Sequence, residues 1–342
     1  MGLRDSGTAG HAERRKDEVQ RKSQSSMEKT KRRAQDFPPR PHEFSLGPAM
    51  SSGPPRIFDR AAYRARRARA LIRGGDLFLA QDAAAHIMER LSAINRRFTH
   101  GLDLHSRERV FPTLKAAAQS WTRMGFFDDR PSVVGDEEAL PFADESFDLV
   151  VSVLSLHAVN DLPGTLVQIR RTLRPDGLFI AALFAGETLH ELRTAFAAAE
   201  ADTLGGASPR VAPFADVREL GGLLQRAGFA LTVADVERVN VRYRDIATLF
   251  SDLRALGETN ALAGRRAEFL PRRTLQALID EYAARFSSVD GRFAANFDIG
   301  FLTGWAPHEG QQKPLAPGSA KASLADALGT VERSAGEKAK PE

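Results

Sequence analysis

The sequence has 342 residues, of which 42% are hydrophobic and 27% charged, so it is long enough for one large domain or two smaller ones. It contains no cysteine, which excludes disulfides, thiolate zinc sites and cysteine nucleophiles. No apolar run approaches the roughly 18 residues that span a bilayer, and the first residues lack the apolar centre of a secretory signal.

The formal net charge of +4 arises in the first part of the chain. Residues 1–49 carry 11 Lys and Arg against 7 Asp and Glu, so the remainder is formally neutral. A nucleic-acid partner is therefore not expected, because its basic footprint would have to lie on the folded domain. We predict a disordered basic extension over residues 1–55 and a mostly disordered tail over 307–342. Residues 1–49 are either a true extension or an over-extended gene start that precedes Met50.

Two helices are predicted between Ile57 and Phe98, separated at Gly74-Gly75. The first is dense in arginine between Arg56 and Arg73. We interpret that cluster as a solvated helix face; a patch for an acidic or nucleic-acid partner is the alternative.

From His100 to Leu183 strand and helix signals alternate, which favours a doubly wound α/β sheet. A helix is predicted over 110–120. The strands predicted in this part are 101–104, 119–124, 132–134, 147–154 and 178–184.

The remaining part of the domain carries further helices, one of them capped by Asp216. Residues 229–233 and 236–243 are predicted as an antiparallel pair at the sheet edge. Residues 297–305 are predicted as the last strand.

Several common site motifs are absent from the sequence. It has no G-x-x-x-x-G-K-[ST], no G-x-G-x-x-G after a strand and no G-x-S-x-G, and none of its eight histidines falls in H-E-x-x-H. Phosphate-cradling loops, a serine nucleophile elbow and a zincin site are therefore not indicated.

The most informative stretch is Gly135–Asp161, in which an acidic turn precedes the apolar run FDLVVSVL and a polar loop. The Val-rich run fits a strand covered on both faces of a parallel sheet. The loop after it then lies at the carboxyl end of the strand, where open α/β sheets bind ligands.

This stretch, with the RPDGLFIAALF that follows, resembles the central motifs of class I S-adenosylmethionine-dependent methyltransferases. Within that superfamily the chain is most similar to the mitochondrial complex I assembly factors with a methyltransferase fold and their alphaproteobacterial relatives. The similarity spans residues 57–328 and includes DEE-x-LPF, FDLVVS-x-LSLH-x-VNDLP, GETLHELR, LG-E-N and GW-x-x-HE-x-Q.

The resemblance implies an α/β fold over residues 56–306, a doubly wound, seven-stranded, mostly parallel sheet with helices on both faces. It also implies S-adenosylmethionine across the carboxyl ends of the first strands. By position, Asp103 belongs to the first-strand motif, Asp136 and Glu137 meet the adenine amino group, and Ser155 and His157 border the methionine end. Acidic groups suit an adenine edge because they accept its amino protons.

Two segments differ from the family motif. Asp103 is followed by His105, Ser106 and Arg107, where the family has glycines that let backbone amides approach the cofactor. The segment QSWTRMGFF ends the second strand without the acid that usually holds the ribose. The cofactor contacts at these two places are therefore altered.

Each candidate residue also has a structural interpretation. Asp103 is either a cofactor residue or a loop cap, and the Asp136 turn is either a binding element or an exposed acidic turn. His157 is either a site residue or an ordinary loop histidine, since the sequence shows no acid partner for it. Arg107 either pairs with a cofactor or substrate carboxylate or lies at the surface.

Three functions stay open at this stage: a methyltransferase, a protein arginine hydroxylase that keeps the fold, and a non-catalytic assembly module. The sequence assigns no catalytic residue and no metal ligand. The resemblance implies a protein substrate, with a respiratory complex I subunit as the candidate. It places the protein in the bacterial cytoplasm, either free or peripheral to the inner membrane.

Overall fold

The structure is a computed structural model, and it describes residues 56–126, 131–288, 290–312 and 328–331. The predicted extension, 1–55, and most of the predicted tail, 307–342, lie outside these residues. The helices are α1 (Arg60–Arg73), α2 (Phe78–Ser92), α3 (Phe111–Leu114), α4 (Leu162–Thr172), α5 (His190–Leu204), α6 (Val217–Arg226), α7 (Ile246–Leu256) and α8 (Arg272–Phe286). The strands are β1 (Phe98–Leu104), β2 (Ala118–Gly125), β3 (Val133–Val134), β4 (Phe147–Val153), β5 (Leu173–Ala185), β6 (Ala230–Tyr243) and β7 (Phe293–Trp305).

The seven strands form one sheet in the order β3-β2-β1-β4-β5-β7-β6. Strand β7 is antiparallel to both of its neighbours, and the other pairs are parallel. The predicted doubly wound, mostly parallel seven-stranded sheet is confirmed.

Strand β4 shows why the sheet is covered on both faces. All seven of its residues are buried. Alternate side chains enter different cores: Leu149 and Val151 pack with α2, α5 and α8, whereas Val150 packs with α4 and α6. Each fully buried aliphatic side chain contributes about 1.5–3 kcal/mol, so the apolar run fixes β4 at the centre of the fold.

Aspartates define where several helices begin. Asp216 accepts a hydrogen bond from the Arg218 amide and forms a capping box with Glu219, as predicted for the start of α6. Asp59 caps α1, because its side chain accepts a hydrogen bond from the Ala62 amide. The cap fixes the first turn of α1, from which Arg60 projects.

Two predictions about regular structure are wrong. Residues 229–233 and 236–243 do not pair with each other; they belong to the single strand β6, which pairs along its length with β7 and absorbs a register shift between Ala230 and Val233. Residues 110–120 do not form one helix. Pairing of Ala118 with Phe98 of β1 draws the chain into β2, so only α3 and a short 3-10 turn precede it.

The carboxyl ends of β1, β2, β4 and β5 lie along one edge of the sheet. Helix α1 packs against α7 beside this edge. Among the described residues, no helix combines the length and the apolar character that a membrane crossing requires.

Candidate functional site

The predicted site residues lie at or just after the carboxyl ends of β1, β3 and β4, but they do not converge on one space. Asp103, Glu137 and Ser155 have no exposed surface. The Ser155 hydroxyl bonds to Ser152 Oγ at 2.9 Å, within the loop that leaves β4. The contacts of the other predicted residues are described in turn below.

Asp103 contacts β2 and its own loop. Its carboxylate accepts hydrogen bonds from Arg123 Nε at 3.0 Å and from the Ser106 amide at 3.3 Å. Burial raises the pKa of Asp103 to about 6 in spite of these two partners. These contacts are those expected of a residue that orients the loop after β1.

The acidic turn after β3 contacts α1. Arg60 donates to Asp136 Oδ1 at 2.8 Å and also pairs with Glu137, while Arg64 pairs with the second oxygen of Asp136. Burial raises the pKa of Asp136, but the Arg60 charge and hydrogen bonds from the Glu138 amide and Arg64 outweigh it and lower the pKa to about 2. Both carboxylates are therefore partnered by cations of the same chain.

A third arginine of α1 reaches the strand ends. Arg67, only 2% exposed, donates from Nη2 to the His105 carbonyl at 2.7 Å and from Nη1 to the Leu154 carbonyl at 3.4 Å. Those carbonyls immediately follow β1 and β4. The prediction of a solvated arginine face is therefore wrong for Arg60 and Arg67, because the strand ends and the acidic turn supply acceptors for their guanidinium groups.

The loop after β1 is filled by side chains. His105, Ser106 and Arg107 are all buried, and His105 has a left-handed φ of 60°. The His105 ring lies 4.4 Å from the Phe126 ring, and burial lowers its pKa. A glycine loop at this position would leave that volume open to a ligand.

The residues present do not fit S-adenosylmethionine in this arrangement. The carboxylates assigned to adenine are bonded to Arg60 and Arg64, and the strand-end carbonyls are bonded to Arg67. The loop that would approach the cofactor carries buried side chains in place of glycines. A nucleoside would have to displace α1 before it could reach these groups.

A cavity of about 280 Å³ lies on the other side of the loop that follows β4. Its walls are largely apolar and include six phenylalanines, and its polar residues include His157, Glu258 and Tyr63. The phenylalanines are Phe184, Phe196, Phe214, Phe250 and Phe297, with Phe58 at a further point of the lining. Such a mostly apolar pocket with a few convergent polar groups is typical of a binding site for a small ligand or side chain.

His157 and Glu258 form a buried pair in this cavity. His157 Nε2 lies 3.0 Å from Glu258 Oε2, and the two side chains are 3% and 14% exposed. Burial raises the pKa of Glu258, but the contacts with His157 and Arg67 and the hydrogen bond from Tyr63 outweigh burial. The pKa is therefore lowered, and the carboxylate is ionised at neutral pH. The acid partner that the sequence did not reveal for His157 is thus 101 residues away.

The aromatic walls already accept guanidinium groups. Arg210 lies over the Phe196 ring at 5.5 Å, and Arg254 lies over the Phe250 ring at 5.8 Å. Aromatic faces attract cations, and the attraction strengthens where water is excluded. An ionised carboxylate beside aromatic rings is therefore suited to a cationic side chain.

Sequence reasoning missed Glu258, Tyr63 and the inward arginines. Glu258 stands in the shared LG-E-N motif, which was a signal for it. Arg60 and Arg67 are spaced seven apart, two helical turns, which places them on one face of α1. Among the described residues, no group of three or more His, Asp or Glu side chains is arranged to hold a metal ion.

Residues 84–181 match the model of the family described as "Methyltransferase domain". The chain is 36% identical over 286 residues to "Arginine-hydroxylase NDUFAF5, mitochondrial" of Danio rerio, covering 79% of this chain and 89% of that protein. It is 38% identical over 267 residues to the protein of the same name from Homo sapiens, covering 74% and 77%. The crystal structure of the YcgJ protein from Bacillus subtilis is 13% identical, with a TM-score of 0.46 over 66% of this chain and 98% of that one.

The sheet topology and the matched domain define a protein with a class I methyltransferase fold. Within that class, the chain belongs to the family of the arginine hydroxylase NDUFAF5, on the identity and coverage of the relatives above.

Proposed function

We propose that this protein modifies an arginine side chain of a protein substrate by hydroxylation and that the guanidinium group enters the cavity at Glu258. The observation that carries the proposal is the ionised Glu258, whose side chain is only 14% exposed, in a cavity lined by phenylalanine rings. The name of the relatives, arginine hydroxylase, supports the same substrate class.

The side chains of the cavity have separable roles. Glu258 neutralises the guanidinium charge, since a carboxylate and a guanidinium form a strong charge-assisted pair away from water. Phe184 and Phe214, whose rings lie 4.8 Å and 6.0 Å from that of His157, exclude water and present aromatic faces. His157 is held by Glu258 through Nε2, and its Nδ1 is buried without a partner among the described residues, so it is free to contact a bound group.

Hydroxylation inserts one oxygen atom into a bond to hydrogen and needs an oxidant, such as dioxygen with two electrons from a reductant and two protons, so that the second oxygen atom leaves as water. The described residues supply binding, orientation and exclusion of water. We assign no step to a cofactor.

The sequence resemblance extends the proposal to the partner and the compartment. We propose that the substrate is a subunit of respiratory complex I and that the protein acts in the bacterial cytoplasm at the inner membrane. Apart from its first 49 residues the chain is formally neutral, so a nucleic-acid partner is not part of the proposal.

Methyl transfer from S-adenosylmethionine is the second candidate. The match to a methyltransferase domain favours it. The arginines of α1 oppose it, because they occupy the groups assigned to the cofactor. The residues that would border that cofactor once α1 had moved are Asp103, Asp136, Glu137, Ser155 and His157.

Mass spectrometry of complex I subunits separates the two candidates. Peptides are compared between cells that lack the gene and cells complemented with it. The proposal predicts an arginine that gains the mass of one oxygen atom only in complemented cells. A gain of one methylene group would favour the second candidate, and unchanged peptides would contradict both.

A further inference from the structure

We propose that α1 is a lid over the nucleoside pocket of the methyltransferase fold, so that a nucleoside binds only after α1 has moved. Arg60, Arg64 and Arg67 hold the lid closed, and Tyr63 on the same helix closes the cavity at the same time. The inference goes beyond the proposed function, because it concerns access to the cofactor pocket and does not depend on which side chain is modified.

The acceptors bonded by α1 are those that a nucleoside cofactor would use. Arg60 and Arg64 take the carboxylate oxygens of Asp136, and Arg60 also takes Glu137 and the Ala158 carbonyl, the latter at 2.9 Å. A ligand amine and these guanidinium groups cannot both occupy the same lone pairs. Binding of one therefore excludes the other.

Polar groups of α1 make many of its contacts with the strand ends, and a ligand that donates to the same acceptors can replace them. Arg64 is half exposed, and an ion pair with an exposed arginine contributes little to stability. The inward face of α1 buries Tyr63, Arg67 and Ala70, of which Arg67 is charged and Tyr63 carries a hydroxyl. A helix held in this manner has fewer apolar contacts to break than α2, which buries six apolar residues.

Helix α1 is shared by the two sites. The Tyr63 hydroxyl donates to Glu258 Oε1 at 3.3 Å, and the Tyr63 ring packs edge-on against Phe126 at 6.2 Å. Tyr63 thus lies between the cavity and the arginines that fill the pocket. Movement of α1 would expose Glu258 and Asp136 together, so the cavity and the pocket would open in one step.

Calorimetric titration of the full chain with S-adenosylhomocysteine tests the lid. The variant Arg60→Ala/Arg64→Ala removes the pairs with Asp136 and Glu137. Arg69→Ala/Arg73→Ala is the matched control, because it removes the same charge from exposed positions of α1. The lid predicts that the first variant binds at least about tenfold more tightly than the wild type, since a larger fraction of molecules is open, and that the control is unchanged.

An equal change in both variants, no change in either, or no binding by any of the proteins would overturn the lid. Because loss of Arg60 leaves Glu137 buried without its partner, the fold of each variant is checked by circular dichroism. Hydrogen exchange of the wild type with and without S-adenosylhomocysteine tests the same point without a substitution. The amides of α1 are expected to lose protection when the ligand is added; a gain of protection would overturn the proposal.

Tyr63→Phe tests the coupling, because it removes the hydroxyl that reaches Glu258 and keeps the ring. This variant is expected to bind S-adenosylhomocysteine more tightly than the wild type does, by a smaller factor than the double variant. An unchanged affinity would overturn the coupling between the two sites. These binding measurements do not involve arginine modification, so failure of the lid and failure of the proposed function are distinguishable.

Discussion

Arg60 of α1 pairs with Glu137, a carboxylate without exposed surface that lies 77 residues further along the chain. A buried carboxylate that loses its cation partner costs several kcal/mol, so this contact ties the position of α1 to the acidic turn after β3. The turn assigned to adenine by resemblance is therefore also a structural anchor. Substitutions in it are expected to affect stability as well as any ligand binding.

Asp136→Asn is expected to reduce stability at neutral pH and to do so less in acid. The folded pKa of about 2 lies below the ordinary value of 3.8, so the charged form stabilises the fold above about pH 4, and that contribution is lost as the pH falls through about 2. The difference corresponds to about 2 kcal/mol. Urea unfolding of both proteins between neutral and acid pH measures it. A difference in the free energy of unfolding that stays constant with pH would contradict the assigned ion pairs.

Gly257→Ala is expected to destabilise the protein more than Gly205→Ala. Both glycines end a helix with left-handed φ, 83° and 73°, which costs a non-glycine residue about 1–2 kcal/mol. A Cβ at position 257 would also lie 3.1 Å from Arg67 Cδ and 3.2 Å from Arg67 Cα, whereas at position 205 it meets nothing within 4 Å. Chemical denaturation of the two variants measures how tightly Arg67 of α1 packs against the end of α7. Equal losses in the free energy of unfolding would show that this packing is loose.

His157 is expected to carry its proton on Nε2. The short contact with the ionised Glu258 favours a donor at that nitrogen, while Nδ1 is buried without a partner among the described residues. Nitrogen chemical shifts of the labelled ring report the tautomer directly. Glu258→Gln should weaken the preference, because a neutral amide attracts the proton less. A ring protonated on Nδ1 alone in the wild type would contradict the pair.

Widening of the cavity is expected to cost stability in proportion to the apolar surface lost. Phe184→Leu removes a ring that packs at 4.8 Å from His157 and at 5.9 Å from Phe297. Because Phe184 is buried, a loss of about 1–2 kcal/mol in the free energy of unfolding is expected. Phe269→Leu is the control, since Phe269 is fully exposed, and its stability should not change. Equal stability of both variants would mean that the Phe184 wall is not tightly packed.

The sheet could be predicted from the sequence because its signals are local. The run FDLVVSVL and the alternation of strands and helices depend on neighbours along the chain, and they gave β4 within one residue of its observed end. The extent of β6 could not be predicted in this way. Its pairing with β7 is a contact between distant segments, and it overrides the weak break around Ala234 and Asp235.

The site was less predictable because its contacts join distant residues. Motifs were enough to choose the candidate residues Asp103, Asp136, Glu137, Ser155 and His157. The partners of these residues could not be chosen in this way. His157 meets Glu258 across 101 residues, and Arg60 meets Asp136 across 76. An arginine-rich helix is usually a solvated face, and only the position of α1 against buried acceptors shows that two of these arginines point inward.

The most direct test of the account is the mass of the substrate arginine in cells complemented with Glu258→Gln. The variant keeps the size of the side chain and removes the charge that would bind the guanidinium; Glu268→Gln, at an exposed position, serves as the control. The account predicts that the oxygen added by the wild type and by the control is lost in Glu258→Gln while the variant remains folded. Full hydroxylation by that variant would contradict the assignment of the cavity as the arginine site.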